Sequence, residues 1–221
     1  MALSRQHSNH SPIPFVIYLI VFNAAWTTWV VVGYPWARAM GDRTLLYALI
    51  NLTIRGLLWV LPVFLYLRYL DGVKPCRYLK LAEHWRRGLL VALVVSALNL
   101  LASLAQHGFP HLRAGGITWN SILSTSLLIG FVEEIPYRGF IFQKLNEWFS
   151  FPSASLLSSL LFLVIHLPGW FSLHIFRIQN AIFVFVFGVV MTILLRYAKS
   201  LWAPIVSHSL NDFFAGVLFR S

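Results

Sequence analysis

Two adjacent carboxylates and an arginine, Glu133, Glu134 and Arg138, lie inside a 25-residue apolar run from Thr118 to Phe142. A charge at bilayer depth costs roughly 2.5 to 3.5 kcal/mol on insertion scales and persists where it is paired or turned toward a protein interior or a wet cavity. Of eight histidines, His166 and His208 are the two clearly within apolar runs, and of seven acids Asp212 is the third so placed. The remaining acids, Asp42, Asp71, Glu83 and Glu147, fall in loops, as do His84, His107 and His111; His7 and His10 are in the N-terminal tail and His174 is near a span boundary. Carboxylates and imidazoles on three helices suit peptide hydrolysis, which needs a base for water, a donor for the oxyanion and a proton for the leaving amine. They equally suit a proton relay in a transporter. Two histidines and a carboxylate are also a zinc ligand set, but no helix carries two histidines at ligand spacing, so no metal and no cofactor are expected.

The elements that must position these groups are membrane helices. The chain is 58% hydrophobic and only 11% charged, against about 25% charged in soluble domains. Stretches long enough for roughly 30 Å of hydrocarbon run from about Pro14 to Gly33, Leu45 to Leu67, Gly88 to Gln106, Thr118 to Phe142, Ser153 to Leu167, Ile178 to Leu195 and Leu201 to Phe219. The pattern predicts an all-α polytopic bundle of seven helices, with an eighth if His166-Leu-Pro-Gly splits the fifth stretch. Without internal repeats or linkers, residues 1–221 read as a single integral-membrane domain. The polar N-terminal tail, which lacks a cleavage site, reads as retained. A lone Cys76 excludes an intrachain disulfide framework.

The net charge of +10 comes from loop residues, where orientation signals belong, so no nucleic-acid partner is expected. With the N-terminus inside, the cytoplasmic side receives Arg5, Arg68, Lys74, Arg77, Lys80, Arg86, Arg87, Lys144, Arg196 and Lys199, and the outside only Arg38, Arg43, Arg113, Arg177 and Arg220. Counted from the cytoplasmic span ends at 1.5 Å per residue, Glu133 lies about 14 Å deep, His208 about 11 Å, Asp212 about 17 Å and His166 about 20 Å. Residues four apart share a helix face, so Glu134 can pair with Arg138 while Glu133 points about 100° away as the freer carboxylate. Pro136 removes an amide one turn from the glutamates, where a kink would admit water from the cytoplasmic side. Arg55 with Asn51 reads as a local packing bond, and Trp26, Trp29, Trp36, Trp148 and Trp202 as interface anchors.

At these residues the chain resembles the CPBP family, the CAAX-protease and bacteriocin-processing group of intramembrane proteases also called Abi. The family's E-E-x-x-x-R motif is matched by Glu133-Glu134-Ile-Pro-Tyr-Arg138, its F-x-x-x-H by Phe162-Leu-Val-Ile-His166, and its H-x-x-x-N/D by His208-Ser-Leu-Asn-Asp212. The resemblance covers a motif-bearing core of about 118–219. It implies a glutamate-dependent endopeptidase acting on a membrane-embedded or membrane-associated peptide or protein. Glu133 with His166 would activate water, and His208 and Asp212 would stabilise the oxyanion, with Glu134, Arg138 and Phe162 supporting them. Two departures stand out: Asp212 takes the place of the commoner Asn, and Pro136 lies inside the first motif. The expected setting is a prokaryotic cell membrane, spanned many times, with a cytoplasmic N-terminus. Two competing readings are a non-catalytic membrane partner, such as a bacteriocin-immunity protein retaining the fold, and a proton-coupled transporter. Motifs of zinc (H-E-x-x-H), serine (G-x-S-x-G) and aspartyl (G-x-G-D) proteases are absent from the sequence.

Overall fold

The computed structural model describes residues 11–41, 43–110 and 117–219. Asp42, Arg5, His7, His10, His111, Arg113 and Arg220, which entered the charge and histidine readings above, lie outside the described residues. The described chain is helical, with no strand among the described residues. Its helices are α1 (Ile13–Ala39), α2 (Leu45–Leu70), the short α3 (Pro75–Tyr78), α4 (Trp85–His107), α5 (119–127), α6 (129–148), α7 (Phe151–Ser172), α8 (Ile178–Ala198) and α9 (202–218). Five of them, α1, α2, α4, α7 and α8, are long and apolar enough to cross a membrane. The protein is an integral membrane protein with an all-α fold.

The site-bearing segments are the ones that depart from plain spans. A turn at Leu128 separates α5 from α6, and α6 carries the charges. Helix α9 is short and contains His208 and Asp212. Helix α7 is interrupted at Ile165 and His166 and resumes at Leu167, with Pro168 in its restarted first turn. Proline there fits because the first-turn amide has no helical acceptor in any case.

Aromatic packing binds the N-terminal helices to α6. Phe15, Tyr18, Phe22 and Trp26 recur every three or four residues along α1 and are buried. They meet Trp59 and Tyr66 of α2 and Tyr137 and Phe140 of α6, for example Tyr18 on Phe140 at 4.9 Å and Trp26 on Trp59 at 4.8 Å. Trp26 is therefore a core residue and not an interface anchor, whereas Trp36 is exposed as expected.

Small residues allow the remaining helices to approach closely, as is usual between membrane helices. A Cβ on Gly130 of α6 would fall 2.2 Å from the Ile205 carbonyl oxygen of α9, and Ser209 of α9 donates to the Leu127 carbonyl at 2.8 Å. Gly188 of α8 lies similarly against Ser159 of α7, and Ser155 and Thr192 bond across the same seam. One turn after Gly130 comes Glu134, so this contact fixes how close the carboxylate sits to α9.

The loop 71–84 is clamped onto one end of the bundle. Gln143 donates to the Tyr78 carbonyl at 2.9 Å, the Trp202 indole donates to the Leu81 carbonyl at 2.9 Å, and the Leu201 amide donates to that of Lys80 at 3.1 Å. Leu79 of this loop and Leu201, just before α9, press on Gly139 of α6. Helix α6 continues nine residues beyond Gly139, about 13 Å at 1.5 Å per residue, to end at Trp148. Counting depth from Phe142 therefore places Glu133 too near the end: from Trp148 it is about 22 Å along the helix.

Candidate active site in the membrane

Glu133, His166, His208 and Asp212 line one cavity of about 240 Å³, together with Arg55, Thr125, Phe187 and Asn211. The sequence places these four candidate groups on three helices, and the fold brings them to one space. Glu134 and Arg138 stand behind it, fully buried.

The two glutamates differ by the 100° step between helix neighbours. Glu134 Oε1 accepts from Arg138 Nη1 at 3.0 Å and from His208 Nδ1 at 2.7 Å. The i to i+4 pair is present, and the same oxygen also holds His208. A carboxylate accepts only, so this bond puts a proton on Nδ1 and turns Nε2 toward the cavity. There His208 Nε2 stands 3.6 Å from Asp212 Oδ2 and 4.0 Å from Glu133 Oε2. The 135–141 stretch of α6, starting beside Pro136, is a widened π turn in place of a simple kink. Losing the Pro136 amide removes an ordinary i to i−4 bond, and such widened turns gather at functional sites.

Glu133 is not left without a cation. Arg55 Nη1 of α2 donates to its Oε1 at 3.1 Å, and the Arg55 guanidinium lies 5.4 Å from the Trp26 ring centroid. The local Arg55–Asn51 reading is thus corrected: the arginine reaches across the bundle. A flexible side chain has a choice between a neutral amide one turn away and a buried carboxylate, and the charge-assisted bond is the stronger by roughly twofold. Charge balance was the available signal, since three acids within spans exceed the single Arg138 and Arg55 is the other cation placed there.

His166 Nδ1 donates to the Phe162 carbonyl at 2.7 Å, at the break in α7. That fixes the Nδ1–H form and leaves the Nε2 lone pair as the free acceptor. Phe162 organises both histidines. Its ring lies 4.7 Å from His166 and 6.2 Å from His208, and the Arg138 guanidinium sits 4.2 Å above it. Thr125, Asn211 and Asn99 were not singled out from the sequence. Asn211 donates to Asp212 Oδ1 at 3.0 Å and accepts from Asn99 of α4 at 3.0 Å. As for metals, among the described residues no group of three or more His, Cys, Asp or Glu side chains is arranged to hold an ion.

Residues 115–214 match the family model of the type II CAAX prenyl endopeptidases, Rce1-like. No curated protein matches the chain significantly, and neither does any solved structure. The matched residues contain all three motifs and every side chain of the cavity except Arg55. The segment that carries this site is thus similar to the Rce1-like family, in agreement with what its motifs resemble.

Proposed function

We propose that the protein is an intramembrane endopeptidase that hydrolyses a peptide bond of a membrane-embedded or membrane-associated peptide or protein, with Glu133 as the base for water. The observation that carries this reading is the shared cavity in which Glu133, His166, His208 and Asp212 meet. Water bound between the Glu133 carboxylate and His166 Nε2 gives a proton to Glu133 as its oxygen attacks the carbonyl carbon. The oxyanion is taken by His208 Nε2–H. For that, the ring carries both protons, one donated to Glu134 and one to the substrate, with Asp212 supplying negative charge alongside. The proton held by Glu133 or passed to His166 moves to the leaving nitrogen, the C–N bond breaks, and a carboxylic acid and an amine result, the acid then giving its proton to the amine so that they leave as carboxylate and ammonium.

Arg55 fits this scheme as the counter-ion that aims Glu133 while the cavity is empty of substrate. Its bond holds one oxygen, Oε1, and leaves Oε2 facing His208. Asp212, in the position where the resembled family more often has Asn, acts here as a charge beside His208.

The expected setting is a prokaryotic cell membrane, and the N-terminus lies inside because the loop 71–84, with Lys74, Arg77 and Lys80, and the α8–α9 connection, with Lys199, share one end and positive loops face the cytoplasm. The cavity lies nearer the opposite end, with Glu133 four residues from the start of α6 and Phe183 five from the start of α8, so the cytoplasmic entry expected from the sequence is not favoured. Comparing the membrane peptidomes of cells carrying the wild type and Glu133→Gln identifies the substrate. The purified protein should then cleave it, and a Glu133→Gln preparation that cleaves at the wild-type rate overturns the reading. Single cysteines at Ser207, Ser209 and Tyr137 in a Cys76→Ser background test access. Labelling of sealed vesicles by an impermeant thiol reagent should come from the face opposite the loop 71–84, and labelling only from the face of that loop would overturn this placement of the entry.

A further inference from the structure

Helix α4 lies outside the family-matched segment, yet it reaches the site. Gly88, Ala92 and Ser96 form its buried stripe, and a Cβ on Gly88 would fall 2.8 Å from Ser200 Oγ at the start of α9. From Gly88 to Asn99, and from Ser200 to Asn211, is eleven residues in each case. The two helices therefore run in the same direction and stay in register for about 17 Å at 1.5 Å per residue, and Asn99 arrives opposite Asn211.

We infer that Asn99 is a positioning residue for the cavity: it fixes the orientation of the Asn211 amide and, through it, the Asp212 carboxylate beside His208. The inference rests on the endopeptidase reading above. An amide has one accepting end and one donating end. Asn99 Nδ2 donates to Asn211 Oδ1, so Asn211 must turn its NH₂ to Asp212 Oδ1, which accepts it. Asp212 is left with Oδ2 toward His208 Nε2. Were the Asn211 amide reversed, its carbonyl oxygen would confront the carboxylate, and Asp212 would have to rotate away or bind a proton. The carboxylate, which can only accept, sets this orientation, and Asn99 holds it by supplying the donor that Asn211 Oδ1 then needs. Asn99 thus donates to Asn211 and Asn211 to Asp212, whose other oxygen stands 3.6 Å from Nε2 of the histidine proposed to hold the oxyanion.

The test uses the full chain purified in detergent and a substrate peptide found by the peptidome comparison, with Glu133→Gln as the control for enzyme-dependent cleavage. Asn99→Asp substitutes a pure acceptor, which draws the Asn211 NH₂ to itself and reverses the chain. Asn99→Leu removes the donor only. We expect kcat to fall about tenfold in Asn99→Leu and further in Asn99→Asp, the scale typical of groups that orient a reactive ligand, with KM within about twofold. The discriminating measurement repeats both in an Asp212→Asn background. The amide introduced there can accept or donate, so either orientation of Asn211 suits it, and the Asn99 defect should shrink to within about twofold. A role confined to helix packing would lower kcat by the same factor in both backgrounds, and that result overturns the inference, as does a kcat indifferent to Asn99 in the wild-type background. If cleavage does not depend on Glu133, the proposed function itself fails first, and this inference with it.

Discussion

Helix α6 carries two buried charge clusters a few turns apart, and they are built differently. Near its end, Lys144 is buried between Asp71 at 2.8 Å and Glu147 at 3.2 Å, and the Tyr78 hydroxyl donates to Glu147 at 2.7 Å. Burial and the nearby Glu147 carboxylate push the Tyr78 phenol well above its ordinary range, so it remains a neutral donor at any physiological pH. This cluster fixes the loop 71–84 against the bundle. Deeper along the helix, Glu133, Glu134 and Arg138 make ion pairs of similar length but share them with two histidines and a cavity. Burial and pairing alone therefore do not mark a reactive site. What separates the two is open space: the Lys144 partners close on one another, whereas Glu133 Oε2 and the Nε2 faces of His166 and His208 are left for a ligand.

The sharpest break between the clusters is catalytic. Glu133→Gln should lower turnover by about 10²- to 10⁴-fold, the usual contribution of a general base, and leave thermal stability close to wild type, because the amide still accepts from Arg55. Glu134→Gln should cost less turnover than Glu133→Gln, since it alters how His208 is held and not the base itself. Lys144→Met should leave kcat per folded molecule within about twofold and show its effect in stability. Steady-state rates and melting curves in detergent decide this. The assignment is lost if Glu134→Gln abolishes cleavage while Glu133→Gln keeps it.

Stability should separate them next. Arg138→Ala strands Glu134 in the interior, a loss of roughly 3 to 5 kcal/mol when one partner of a buried pair is removed. Adding Glu134→Gln should recover part of it, because a neutral amide is easier to bury. Thermal unfolding of the single and double variants measures the difference. A double variant no more stable than the single one would mean that Glu134 is not held chiefly by Arg138.

For Lys144→Met the expected loss is smaller, about 1 to 3 kcal/mol, since Glu147 at the rim can return to water. Its signature should be local: faster proteolysis within the loop 71–84, where Tyr78 and Asp71 lose their anchor. Limited digestion followed by mass spectrometry reads this directly. Cleavage unchanged in that loop would show that Gln143 and Trp202 hold it without the lysine.

What could be read from the sequence, and what could not, follows the range of each interaction. The spans were legible because hydrocarbon imposes a length and a composition on every helix: five of the seven apolar stretches are helices long and apolar enough to cross, whereas Thr118 to Phe142 is split at Leu128 and Leu201 to Phe219 is a shorter helix. The Glu134–Arg138 pair was legible because a helix fixes four-residue neighbours. Arg55 was misread because its partner is 78 residues away, and the local rule offered Asn51 instead. Asn99 was passed over for a similar reason: an asparagine in an apolar helix shows no sign of its partner until the Gly88, Ala92 and Ser96 register is known. Trp26 looked like an anchor because tryptophan suits both a membrane interface and a core.

The smallest expected effect concerns metal, and it turns on Arg55. With Nδ1 of each histidine occupied by the Phe162 carbonyl or by Glu134, their Nε2 atoms face the cavity beside Glu133, the donor types of a zinc site without its arrangement. The guanidinium 3.1 Å from Glu133 Oε1 also opposes zinc, because it occupies a lone pair of the carboxylate and places a positive charge where a dication would sit. Nothing comparable arises at Lys144, which has no histidine partner. The purified active protein should therefore carry no stoichiometric zinc, and chelator treatment should change its rate by less than about twofold, since the proposed water is activated by a carboxylate and an imidazole. Arg55→Gln removes the opposing charge, so zinc added to that variant should inhibit at several-fold lower concentration than in the wild type. Elemental analysis and zinc titration of both proteins provide the measurement. Stoichiometric zinc whose removal and return switch cleavage off and on would instead make His166 and His208 ligands, replace the glutamate mechanism, and leave Arg55 as an electrostatic partner of the site with no part in keeping metal out.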